Sequence, residues 1–327
     1  MRPPVGSHAN APLLEVHGLT VRLGPIAAVS SVSFKLAHGQ FMGIVGESGA
    51  GKSVAARAML GLLPPYAEID GSIRFQGKEL VGASEKELRR IRGAKIGFVF
   101  QDALTALDPV RTIGAQLVEA LRAAKPETSR VQARAAARDL LDEVKLSDPA
   151  RTMESYPHQL SGGMRQRVAI AIALIADPVL VIADEPTSAL DVTVQRRVLE
   201  LLVQMCGERD AAVVLITHDM GVVAETCDRV AVMYGGLLVE EADVFELFDE
   251  PRNPYTRALL DALPKVGDPG SLRPIPGQAA QVIGTLTSCP FAPRCRHVTT
   301  ECRDNVPPEV AYADRSVRCF HAGVPAS

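Results

Sequence analysis

The sequence predicts an α/β protein with a mainly parallel central sheet, a small antiparallel β subdomain, a helical subdomain and a cysteine-containing C-terminal extension. Three observations carry this reading. Gly46-Glu47-Ser48-Gly49-Ala50-Gly51-Lys52-Ser53 fits the pattern G-x-x-x-x-G-K-[ST] at every defined position. Apolar strand-like runs alternate with helical patterns through the middle of the chain, as a sheet covered on both faces requires. Cys289, Cys295, Cys302 and Cys319 crowd a proline-rich tail that is poor in core residues.

In chain order, residues 1–12 read as a flexible tail. Residues 13–23 and 31–36 alternate apolar and polar positions about a turn at Gly24-Pro25, and residues 71–76 add a short strand, which together predict the antiparallel sheet. The run Phe41-Met42-Gly43-Ile44-Val45 reads as a buried strand and residues 53–63 as a helix, so the glycine-rich stretch between them has a strand–loop–helix context. Glycines there let the backbone bend tightly and aim N–H groups at phosphate oxygens, and the helix adds its positive N-terminal end. Residues Gly46 to Gly51 would cradle the phosphates, Lys52 would reach the β- and γ-phosphates, and Ser53 would offer its hydroxyl to Mg²⁺. An ordinary glycine-rich turn is the alternative, and the flanking strand and helix argue against it.

Residues 95–100 form a short apolar strand ending at Gln101, followed by a loop over residues 102–109. A glutamine at the end of a strand facing a phosphate loop can ligate Mg²⁺ or position water, although alone it reads equally as a solvated loop residue. From Thr112 to about Lys145 apolar residues recur at three- and four-residue spacings, a helical insert. It leads to Leu160-Ser161-Gly162-Gly163-Met164-Arg165-Gln166-Arg167, where Ser161 is a plausible N-cap with hydroxyl and N–H groups available to an anion, or simply a helix cap. Residues 179–185 are a buried strand ending in Asp184-Glu185. Beside a phosphate loop the first acid suits Mg²⁺ coordination and the second suits polarising the attacking water; the alternative is an acidic pair that only caps the strand. After Ser188-Ala189-Leu190-Asp191 and a helix to about Met205, residues 212–217 give another buried strand, ending at His218. A strand-end histidine can sense a γ-phosphate or be merely structural.

Composition narrows the function classes. An apolar content of 47% in 327 residues suffices for a real core. The net charge of −3 supplies no basic field for nucleic acid, so no nucleic-acid partner is expected. The longest apolar runs, such as residues 168–176, are about half of what crosses a bilayer. The N-terminal stretch lacks the apolar region of a secretory signal, so a cytosolic chain without structural disulfides is expected.

Together the ordered segments of residues 13–262 resemble the ATP-binding cassette of an ABC transporter: phosphate loop, Gln101, the LSGGMRQR run, Asp184-Glu185, the SALD loop and His218. The resemblance implies the ABC-type P-loop NTPase fold, with a helical subdomain at about residues 103–162 and a C-terminal extension over residues 263–327. It implies two cassettes facing head to tail, with ATP between the phosphate loop of one and Ser161, Gly162 and Gly163 of the other. Lys52 and Ser53 would hold phosphate and Mg²⁺, Gln101 and Asp184 would complete the metal surroundings, Glu185 would be the catalytic base and His218 the γ-phosphate switch. One position departs from the family pattern. Leu23 stands where an aromatic residue usually stacks on the adenine, which implies weaker or less base-selective binding.

The run from Phe100-Gln101-Asp102 through Thr112-Ile113-Gly114 is similar to the oligopeptide/dipeptide importer group, as are Asn253-Pro254-Tyr255-Thr256, Pro274-Ile275-Pro276-Gly277 and the cysteine tail. This group implies a peripheral ATPase on the cytoplasmic face of the membrane, working with a second ATPase, two permease subunits and an extracytoplasmic solute-binding protein, the two ATPases usually being different. Uptake of nickel, glutathione or another solute remains an alternative cargo, and a non-transport ABC ATPase is a further one. Four thiols suit a [4Fe–4S] cluster or zinc. The spacings lack the paired C-x-x-C of common zinc ribbons, and on ligand type rather than geometry the cluster is favoured over zinc or free thiols. Cys206 and Cys227 lie in helical patterns and read as packing residues.

Overall fold

The computed structural model describes residues 11–187, 190–263, 275–312 and 314–322. The chain begins with β1 (Leu14–Leu23) and β2 (Ile26–Leu36), which turn at Gly24 with φ 59°. There follow β3 (Phe41–Val45), α1 (Lys52–Met59), β4 (Ala67–Phe75) and β5 (Lys78–Glu79). α1 stops at Met59 rather than near Leu63, because Gly61 adopts the left-handed conformation (φ 61°) that terminates helices.

Next come α2 (Glu85–Ile91), closed by a capping box between Ser84 and Glu87, and β6 (Ile96–Val99). The stretch predicted as a loop contains a short helix, α3 (Ala103–Ala106), because the Asp102 carboxylate accepts the Leu104 N–H. The helical insert is two helices, α4 (Ile113–Ala124) and α5 (Arg130–Glu143), parted at Pro126, which disfavours helix in the residue before it. α6 (Pro149–Glu154), α7 (Gly162–Leu174), β7 (Leu180–Asp184), α8 (Val192–Glu208) and β8 (Ala212–Ile216) follow. The chain continues through α9 (Met220–Thr226), β9 (Arg229–Tyr234), β10 (Leu237–Asp243), α10 (Val244–Asp249) and α11 (Pro254–Asp261). It closes with α12 (Thr300–Asp304), β11 (Glu309–Tyr312) and β12 (Arg315–Arg318).

These elements gather into two compact units. One comprises residues 38–40 and 83–216. In it β6, β7 and β8 run parallel, with Val99 opposite Ala183 and Asp184 opposite Ile216. Every residue of β7 and β8 is buried, the continuous apolar run that a parallel strand covered on both faces demands. α7 lies directly on β6, so closely that a Cβ on Gly97 would stand 2.3 Å from the Ala173 carbonyl oxygen. α4, α5 and α6 form the helical part, burying Leu117, Leu121, Leu140 and Leu141.

The other unit comprises residues 11–37, 41–82 and 217–322. β1 lies between β2 and β4, antiparallel to both, with Leu14 opposite Leu36 on one side and Phe75 on the other. β2 and β4 both begin earlier than their residue patterns indicated, since pairing along the whole of β1 satisfies backbone groups whatever the side chains. β3 pairs parallel with β9, while β9, β10, β12 and β11 pair antiparallel in that order. The expected parallel pairing thus carries an antiparallel extension. The hairpin from β9 to β10 turns on Gly235 and Gly236, both at positive φ. Glu240, fully buried on β10, faces Arg315 at 3.4 Å and accepts the N–H groups of Arg252 (2.9 Å) and Asn253 (3.0 Å). Cys206 and Cys227 are both buried and form no disulfide. Among the described residues no helix is long and apolar enough to cross a membrane.

Candidate functional site

The loop from Gly46 to Gly51 leaves β3, whose five residues are all buried, and enters α1. Gly46 (φ 146°) and Gly51 (φ 97°) hold conformations that side chains disfavour, and a Cβ on either would strike a backbone oxygen, of Met233 at 2.1 Å or of Ala28 at 2.2 Å. Gly49 (φ 81°) has nothing within 4 Å of its Cβ position. The loop is therefore braced at both ends and open at its exposed middle, where Ser48 and Gly49 lie. Lys52 is only 5% exposed, and its Nζ donates to the carbonyls of Gly46 (2.8 Å) and Glu47 (3.0 Å). Ser53 is half-buried in the first turn of α1, which contains no acidic residue. A buried ammonium at a helix N-terminus whose first turn carries no acid, beside an open glycine cradle, fits a polyphosphate.

Glu47 departs from a simple cradle role. Its N–H donates to the Tyr255 hydroxyl at 2.9 Å, and its carboxylate is gripped by both terminal nitrogens of Arg294, at 2.5 and 3.0 Å. Burial raises the Tyr255 phenol well above its ordinary range, which keeps it neutral. Neither contact was visible from sequence, because Tyr255 and Arg294 lie 208 and 247 residues away.

In the unit of residues 38–40 and 83–216, Asp184 ends β7 with 1% exposure, and Glu185 follows at φ 43°. A left-handed glutamate costs about 1–3 kcal/mol, and such outliers cluster at functional sites. Its N–H is tied to the Ile216 carbonyl at 2.9 Å. The register that sets Val99 opposite Ala183 carries Gln101, two residues on, opposite Glu185, and Gln101 Nε2 donates to Glu185 Oε2 at 3.3 Å. Two residues singled out separately thus meet. Ser161 is the N-cap of α7, exposed, its hydroxyl accepting the Met164 N–H at 3.3 Å. Gly162 and Gly163 open that helix against the start of α8: a Cβ on Gly163 would lie 2.9 Å from Val194 Cγ1. Ser188 and Ala189 of the SALD loop lie outside the described residues, as does Pro274.

His218 is exposed just ahead of α9, whose N-cap Asp219 accepts the Gly221 and Val222 N–H groups. Leu23 is half-buried and sits across the antiparallel sheet from Ile26 and Ala67.

Cys289, Cys295, Cys302 and Cys319 all line one cavity, together with His321, which the sequence reading passed over. His321 Nε2 stands 3.7 Å from Cys302 Sγ and 3.2 Å from Thr299 Oγ1. Burial, with the neighbouring thiols adding, pushes Cys289 and Cys319 up to about 11, and burial raises Cys295 as well. All four thiols are free. The donors have the right chemistry for a cluster, but among the described residues no group of three or more His, Cys, Asp or Glu is arranged to hold a metal ion. The described residues therefore do not show the expected [4Fe–4S] cluster, although the four cysteines share one cavity.

Comparison with known proteins agrees with the cassette geometry. Residues 29–188 match the ABC transporter family, and residues 239–302 match the oligopeptide/dipeptide transporter C-terminal region. The chain is 48% identical over 298 residues to the oligopeptide transport ATP-binding protein OppD of Mycobacterium bovis, a match covering 89% of this chain and 49% of that protein. It therefore spans about half the length of that relative. It is 46% identical over 301 residues to the dipeptide transport ATP-binding protein DppD of Bacillus subtilis, covering 91% of this chain and 90% of that protein. Among solved structures it resembles a dimeric ATP-binding cassette in a post-hydrolysis state with ADP and Pi, at TM-score 0.63 and 30% identity, covering 71% of this chain and 98% of the other. With the ABC transporter model and the oligopeptide/dipeptide transporter C-terminal region both matched, and the Bacillus subtilis relative aligned over nine-tenths of its length, the chain belongs to the ABC transporter family.

Proposed function

We propose that this chain hydrolyses ATP to energise import of di- or oligopeptides across the cytoplasmic membrane. The observation that carries the reading is the meeting of Gln101 with the left-handed Glu185 at the ends of two paired parallel strands. Residues 46–53 hold the triphosphate, with Lys52 as the main counter-charge, and Ser161, Gly162 and Gly163 serve the ATP of a facing cassette. Ser53, Gln101 and Asp184 would hold Mg²⁺. Mg²⁺, when bound, neutralises phosphate charge as the terminal bond breaks. Glu185 orients water and takes its proton as the water oxygen attacks the γ-phosphorus, and ADP leaves with the electron pair of the broken bond. Gln101 fixes the Glu185 carboxylate, and His218 senses the γ-phosphate.

The cassette occupies residues 13–262, with a helical subdomain at about residues 103–162, and the extension occupies residues 263–327. The partners are a second ATPase, different from this one, two permease subunits and an extracytoplasmic binding protein, with the chain peripheral on the cytoplasmic face. The cargo is chosen by those partners, so nickel or glutathione uptake would use the same machinery. The finer reading of the four cysteines is a [4Fe–4S] cluster, with zinc second; the support is the shared cavity, and no catalytic step is assigned to it. Iron, zinc and acid-labile sulfide analysis of anaerobically purified protein decides between them.

Affinity purification of the tagged chain from gently solubilised native membranes, without oxygen, tests the transport reading. Two multi-span permeases and a second cassette are expected. Recovery of the chain alone, or with nucleic-acid partners, would refute it.

A further inference from the structure

We propose that Arg294, in the C-terminal extension, is a positioning residue for the phosphate loop, acting through Glu47 to set nucleotide affinity. The inference rests on the reading of residues 46–53 as the ATP cradle.

Glu47 occupies the first variable position of the loop, where pattern alone demands no particular residue. Its carboxylate meets the planar fork of Arg294 in a two-pronged pair, with the arginine side chain 5% exposed and the glutamate 26%. The remaining guanidinium contacts are also made: Nε donates to the Pro276 carbonyl at 2.7 Å, Nη1 to the Tyr234 hydroxyl at 3.1 Å and Nη2 to the Ile275 carbonyl at 3.3 Å. A group so fully engaged is rigid. Such a fork cannot be replaced by a lysine without losing geometry.

The main chain of Glu47 is held from the same side. Phe291, three residues before Arg294, packs edge-on against Tyr234 and Tyr255, each at 5.3 Å between ring centroids. Tyr255 in turn takes the Glu47 N–H. Glu47 is thus clamped by side chain and by backbone, and its own carbonyl is one of the two oxygens that fix Lys52 Nζ. A continuous set of contacts runs from the extension through Glu47 to the lysine that faces phosphate. Cys295 directly follows Arg294, so any change in the cysteine cavity acts at the near end of this chain of contacts.

The test measures ATP affinity by calorimetric titration of the full chain in a Glu185→Gln background, alongside melting temperature. Arg294→Met is expected to weaken ATP binding about tenfold, in line with coupling between contacting charged residues. Arg294→Lys should recover part of that loss. Glu47→Gln combined with Arg294→Met should bind no more weakly than Arg294→Met alone, since the arginine acts through the glutamate. Lys52→Ala is the separate control: if it binds ATP normally, the cradle reading itself fails, whatever Arg294 does. If Lys52→Ala abolishes binding while Arg294→Met binds as the parent does, the inference is overturned. It is equally overturned if the losses of Glu47→Gln and Arg294→Met multiply in the double variant, which marks independent roles. Should Arg294→Met not fold, Arg294→Lys and Glu47→Gln carry the test, and parental affinity in both would sink the proposal.

Discussion

Substituting alanine at Gly51 and at Gly49 separates two costs that glycines in a phosphate loop conceal. Both positions have positive φ, 97° and 81°, so each alanine bears the left-handed penalty of about 1–2 kcal/mol. Only Gly51 adds a collision. Its Cβ would stand 2.2 Å from the Ala28 oxygen and 3.3 Å from the Ala28 carbonyl carbon, backbone atoms of β2 that move only if the strand moves. Overpacking of this kind typically costs a further 1–3 kcal/mol, so Gly51→Ala should destabilise by about 2–5 kcal/mol and Gly49→Ala by about 1–2. The chain has no tryptophan. Urea unfolding of both variants is therefore followed by far-ultraviolet circular dichroism, with the difference in midpoint as the readout. Gly49→Ala should instead lose ATP affinity out of proportion to its stability, because its methyl group enters the open cradle. Equal destabilisation by the two substitutions would show that the Ala28 contact does not constrain the loop.

Three other outcomes follow from the same geometry. Glu185→Gln should lower ATP turnover by about 10²–10⁴-fold while ATP binding persists, as loss of a general base does; phosphate release at the parental rate would remove Glu185 from that role. Glu240→Ala strips the partner from buried Arg315 and two backbone N–H groups, and should cost about 3–5 kcal/mol in urea unfolding, a loss below about 1 kcal/mol counting against the buried pair. Burial pushes the Cys227 thiol from its ordinary 9.0 up to about 12, so the fold favours the protonated form. That contribution to stability is complete below pH 9 and lost as the pH climbs towards 12. Iodoacetamide should leave Cys227 unmodified in the folded protein at pH 9 and modify it once urea unfolds the chain, read by peptide mass; rapid labelling of the folded protein would contradict the burial.

Much of the site was legible because its chemistry is local. The phosphate loop announces itself in eight consecutive residues, since tight bending, helix-end donors and a lysine have to occur at fixed offsets. The cap of α7 was legible for the same reason: Ser161 accepts the Met164 N–H three residues on. Helix limits were less legible, as α1 and the parted α4 and α5 demonstrate, because a glycine or proline ends a helix that apolar spacing alone would continue.

The strands β9 to β12 escaped the sequence reading, and so did every contact that depends on them. Nothing near Glu47 indicates that its carboxylate will meet a guanidinium 247 residues away, and nothing near Cys302 indicates His321 as its neighbour. The amino-acid sequence by itself determined the motif residues, the alternation of buried strands with helices and the family to which they point, because each of these is encoded within one turn or one strand. Only the tertiary structure decided that Gln101 reaches Glu185, that Glu240 faces Arg315, and that the C-terminal extension grips the phosphate loop through Arg294. Such pairings are set by strand order and register, which place side chains in contact without regard to their distance along the chain.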